Sequence, residues 1–116
     1  MPSRNWQNRI RDILSAISEI QSFTEGLTFA EFQNDRKTIG AVLYTLTMIG
    51  EAARTIPPDL ESAHPEISWN DIRDMRNIII HEYFQVNLSI VWQTIQEDIN
   101  NLEHPLRKLL EDLESK

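Results

Sequence analysis

The sequence predicts an all-α protein, an antiparallel bundle of four main helices with short extra helices. Three observations carry this. Apolar residues recur at three- and four-residue steps in four separate stretches, no stretch alternates with the two-residue period of a strand, and capping residues and prolines stand at the joints. The 116 residues fit one domain, 1–116, which can bury a core without enclosing a large cavity.

The first helix is expected from about Trp6 to Phe23, where Ile10, Ile13, Leu14, Ile17 and Ile20 share a face, with Gly26 as its stop. Thr28 followed by Glu31 has the form of a capping box over a short turn. Asn34-Asp35 offers the next N-cap, ahead of a second long helix striped by Ile39, Val42, Leu46, Ile49 and Ala53. Within that stripe Gly50 permits a neighbouring helix to approach closely. Pro57-Pro58 ends the helix, and the connector to Pro65 holds at most a short turn around Asp59 to Ala63.

A third helix begins near Ser68, where Asp71 three positions on resembles a capping box, and Ile72, Met75 and Ile79 face a core. Asn87 is a suitable N-cap for a fourth, whose buried face carries Val91, Trp92, Ile95, Ile99 and Leu102. Pro105 removes a backbone donor and clashes with the preceding turn, so a kink or restart is expected there, before Leu106, Leu109, Leu110 and Leu113 continue the stripe.

Composition narrows the function. Eighteen acidic against eleven basic residues give a formal charge of −7, which argues against broad adhesion to nucleic acid or anionic membrane. Any RNA contact must therefore be local. Arg36, Lys37, Arg54, Arg73 and Arg76 could form such a patch, or could simply be solvated. The absence of cysteine removes disulfides, thiolate catalysis and cysteine-ligated zinc, and fits a reducing compartment. No apolar run nears the roughly 18 residues that cross a bilayer, and the first residues lack a signal peptide's apolar stretch, so a soluble cytoplasmic protein without a membrane partner is expected.

Chemistry concentrates in the third helix and just beyond it. Arg76, Asn77, His81 and Tyr83 place a cation, an amide, an imidazole and a phenol within eight residues. At about 100° per residue, Asn77 and His81 share a face, whereas Arg76 lies about 140° round the helix from His81. Arg76 could wrap toward a common cleft, the helix could end or distort near His81, or a second copy of the chain could complete the site. His81 suits general acid and base work, since imidazole titrates near neutral pH, although a histidine bonded to a carbonyl at a helix end would look the same. His64 and His104, each before a proline, read as structural. Asp71, Asp74, His81 and Glu82 supply possible metal ligands, but no H-E-x-x-H or paired E-x-x-H spacing is present, and neither a metal nor a cofactor is expected. Glu51 could orient Arg76, or could belong to an ordinary salt bridge.

Met75-Arg76-Asn77 followed by Ile80-His81-Glu82-Tyr83-Phe84 fits R-x-x-x-x-H-x-Y and resembles the signature of the HepT-like toxins, a HEPN-domain family paired with minimal nucleotidyltransferase antitoxins. Ile49-Gly50-Glu51-Ala52-Ala53, His64-Pro65-Glu66-Ile67-Ser68-Trp69 and Leu88-Ser89-Ile90-Val91-Trp92 extend the likeness over nearly the whole chain. The resemblance implies a HEPN-type bundle and an endoribonuclease toxin of a type VII toxin–antitoxin pair, with RNA as substrate and two motifs meeting at a homodimer cleft. It implies Arg76 and His81 as catalytic residues, Asn77 in support, and Tyr83 as acceptor of AMP from the antitoxin. The rival reading is a non-catalytic HEPN module that binds nucleotide or a protein partner.

Overall fold

The computed structural model describes residues 5–81 and 87–114, with the side chains of 6–76, 87–112 and 114. Among these residues every regular element is helical. The elements are α1 (Asn5–Thr24), α2 (Phe29–Gln33), α3 (Arg36–Ala53), α4 (Pro58–Ala63), α5 (Trp69–His81), α6 (Leu88–Gln93), a π-helical turn (Thr94–Asp98) and α7 (Ile99–Glu114). As α6, the π turn and α7 follow without a break, four long helices form the bundle, and α2 and α4 are the short extras.

The joints follow from local chemistry. Gly26 adopts the left-handed conformation (φ 78°) just after α1, where a side chain would be strained. Thr28 and Glu31 form a reciprocal capping box on α2. The Asp35 carboxylate accepts from the Thr38 backbone and hydroxyl at the start of α3, and the Asn87 side chain accepts from the Ser89 and Ile90 amides at the start of α6.

One core joins the helices. Ile10, Ile13, Ile17 and Ile20 of α1, Val42, Leu46 and Ile49 of α3, Ile72 and Met75 of α5, and Ile95, Ile99, Leu102 and Leu106 of the last helix are all buried in it. Such burial is the main stabilising contribution available to a chain of this size. Arg11 pairs with Glu114, and the Gln21 amide donates to Asn100 Oδ1 at 2.9 Å, so residue numbers rise along α1 as they fall along α7. These two helices are antiparallel.

Two features depart from the sequence reading. Of the kink or restart expected at Pro105, the restart does not occur: α7 runs through the proline while Leu102, Leu106 and Leu109 hold both sides in the core. The irregularity lies upstream, at Thr94–Asp98, where the Ile99 amide donates to the carbonyl of Thr94 five residues back. In addition, Phe32 of the short α2 is fully buried, its ring 5.1 Å from that of Trp92.

Candidate active site

Arg76 lies on α5 where that helix presses against α3. Gly50 makes the approach possible: a β-carbon there would sit 2.7 Å from the Arg76 β-carbon, 2.9 Å from the Arg76 nitrogen and 3.2 Å from the Arg73 carbonyl oxygen. Its neighbour Glu51 meets the same arginine. The Glu51 carboxylate forms an ion pair with the Arg76 Nε, a contact without the alignment of a hydrogen bond. Its other oxygen lies 3.6 Å from Nη1 of Arg54, so one carboxylate serves two guanidinium groups. The Arg76 side chain stays one-third exposed (33%) and the Glu51 side chain 42%.

The possible cationic patch is divided by the fold. Arg36 and Lys37 open α3, whereas Arg54 follows its end, about 25 Å away along a helix that rises about 1.5 Å per residue. Arg73 points elsewhere and donates at 2.6 Å to Glu61 of α4, while its second nitrogen meets Asn70. What remains together is Arg54 and Arg76 around Glu51. The sequence reading grouped Arg54 with Arg76 in a possible patch but did not pair it with Glu51, although the three-residue spacing on a helix was a usable signal.

Of the other motif residues, Asn77 and His81 belong to α5, His81 being the last of its described residues, about 7.5 Å beyond Arg76 along the axis. Their side chains, and all of Tyr83, lie outside the described residues. So does the side chain of Ile79, expected in the core. Of the two histidines read as structural, His64 sits at a joint, its carbonyl accepting from the Trp69 indole at 3.0 Å and its ring facing Glu66 at 3.3 Å, whereas His104 adjoins Pro105 inside α7.

Glu51 also borders an open groove between α1 and α3 of about 590 Å³, lined by Arg9, Asp12, Tyr44, Met48 and Thr55 among others. Tyr44 (68%) and Met48 (48%) are among the exposed large side chains here. Among the described residues no three histidine or carboxylate side chains gather as a metal site, and no helix is long and apolar enough to cross a membrane.

Residues 13–109 match the family model described as ribonuclease HepT-like. The chain belongs to the HepT-like ribonuclease family. Similar curated proteins cover it almost end to end. A Thermococcus cleftensis protein named "Probable ribonuclease HepT" is 41% identical over 106 residues, which span 91% of this chain and 96% of that one. A Methanocaldococcus jannaschii protein named "Putative RNase MJ0125" is 35% identical over 116 residues, the full length of both. A second protein of that organism, "Putative RNase MJ1216", is 34% identical over 116 residues. No solved structure matches the chain.

Proposed function

We propose that this chain is a metal-independent endoribonuclease, the toxin of a type VII toxin–antitoxin pair, acting at a homodimer cleft in the cytoplasm. The observation that carries the reading is Arg76, paired with Glu51 at the α3–α5 contact and followed five residues later by His81 on the same helix. Membership of the HepT-like family and the names of its relatives support RNA as the substrate.

In this mechanism a ribose 2′-hydroxyl attacks the adjoining phosphorus. The 2′-oxygen loses its proton and bonds to phosphorus, the bond from phosphorus to the 5′-oxygen breaks, and the departing oxygen takes up a proton. The products are a 2′,3′-cyclic phosphate and a 5′-hydroxyl. Arg76 offers guanidinium donors to the phosphorane as negative charge builds, and an imidazole moves the protons. One His81 cannot both take and give a proton in a single displacement. A second His81 from a twofold-related chain supplies the other transfer, and Asn77 positions a phosphate or the imidazole.

Silencing is assigned to Tyr83. Its phenolic oxygen loses its proton and bonds to the α-phosphorus of ATP held by the nucleotidyltransferase antitoxin, pyrophosphate leaves, and the attached AMP fills the cleft with a charge that pairs with Arg76. A second reading is favoured by the formal charge of −7, low for a protein that holds RNA: a non-catalytic module that binds nucleotide or a partner. Incubation of the purified chain with total RNA, beside His81→Ala, separates the two. Cleavage by the wild type alone supports the nuclease; intact RNA in both lanes leaves the module.

A further inference from the structure

Gly50 and Glu51 converge on one residue of the neighbouring helix. Glycine is a poor helix former in a helix interior, yet here the space it leaves is filled by the β-carbon and backbone of Arg76. The next residue turns its carboxylate onto the guanidinium of that same Arg76. Both partners are partly exposed, and exposed ion pairs contribute little to stability. Orientation is what the pair can supply.

We infer that Glu51 is a positioning residue for Arg76, acting through the arginine and without touching substrate. The carboxylate meets the Nε edge of the guanidinium, and among the described residues nothing accepts from the Nη nitrogens, whose donors suit a phosphate. Glu51 is shared with Arg54, so among the described ion pairs here two guanidinium groups meet one carboxylate in an otherwise acidic protein. A long, flexible arginine side chain is thereby restrained before RNA arrives, so that less ordering remains to be done at the transition state. The role in catalysis rests on the ribonuclease reading above; the restraint itself does not.

The test has two arms on the full chain. In a proton–nitrogen correlation spectrum, the arginine Nε–H signal that disappears in Arg76→Lys belongs to Arg76. It should be sharp and shifted in the wild type, move toward the position of a free arginine in Glu51→Ala, and be partly restored in Glu51→Asp. In cleavage assays Glu51→Ala should lower kcat by about 10- to 100-fold, the scale of a misplaced catalytic group, with KM and melting temperature nearly unchanged. Glu51→Asp should recover part of the rate. An Arg76 signal that does not move in Glu51→Ala overturns the positioning role whatever the chain does to RNA. A moved signal with wild-type kcat overturns its catalytic consequence, and a moved signal in a wild type that cleaves nothing overturns the ribonuclease reading while supporting the restraint.

Discussion

Gly50 and Arg76 are in contact through backbone and β-carbon, with room for a hydrogen on Gly50 and none for a methyl group. α3 and α5 can be this close only because position 50 has no side chain, and Arg76 takes its starting point from that approach.

Gly50→Ala is therefore expected to push the two helices apart despite the better helix propensity of alanine. Overpacking of this kind costs about 1–3 kcal/mol, and urea denaturation should show that loss. A variant as stable as the wild type would mean that the α3–α5 contact relaxes freely. RNA cleavage should fall further than stability explains, because Arg76 moves with α5.

Arg76→Ala and His81→Ala should each abolish RNA cleavage and growth inhibition while leaving helicity and melting nearly intact, since Arg76 is partly exposed and its ion pair contributes little to stability. Circular dichroism beside a cleavage assay checks both halves. A chelator should leave the rate unchanged; a rate lost with chelator and restored by one divalent ion would overturn the metal-independent mechanism.

The isolated chain should scatter light as a dimer at micromolar concentration. The requirement for two proton transfers and the angular offset between Arg76 and His81 on α5 both call for a second copy. A monomer with full activity would place the whole site within one chain.

Tyr83→Phe should retain most cleavage, because a phenol with a pKa near 10 carries protons poorly at neutral pH. It should also escape silencing when co-expressed with the nucleotidyltransferase. Intact-protein mass spectrometry should find added AMP on the wild type and none on the variant. Equal silencing of both, with no added mass, would rule out the switch.

Asp98, at the end of the π turn, has its carboxyl pushed above the ordinary 3.8 by partial burial first, although the residue as a whole is exposed, and then by the charges of Glu97 and Asp71. A raised folded pKa means that the fold disfavours the ionised form. Its ionisation thus costs stability at neutral pH, and the cost is relieved as pH falls through the raised value toward 3.8. Asp98→Asn should melt slightly higher than the wild type at neutral pH, with the difference disappearing near about pH 3, below both pKa values. A variant that melts lower at neutral pH would show that Asp98 makes a favourable contact instead.

Local chemistry determined what the sequence made legible. Three- and four-residue apolar periods mark each long helix, Gly26 and Pro57-Pro58 stop two of them, and Thr28, Asp35 and Asn87 satisfy amides two or three positions away. All of these depend on neighbours within a turn or two, so they can be read from order alone. The motif from Arg76 to Tyr83 stands out in the sequence for the same reason, as a short run of chemically distinct residues, most of whose side chains lie outside the described residues.

Tertiary structure decided what depends on distant residues. Glu51 could equally have been a surface partner or the holder of Arg76, and only the Gly50 contact, 26 residues away in sequence from Arg76, settles that it faces Arg76. Phe32 is in the core because Trp92 lies over it, a contact that a five-residue helix is too short to announce by periodicity. Core packing on both sides of Pro105 carries the last helix past a residue that disfavours helix, while the π turn arises upstream where the sequence bears no proline or glycine. Spacing along one chain specifies which side chains share a helix face; which face meets which is set by the close packing of the whole core.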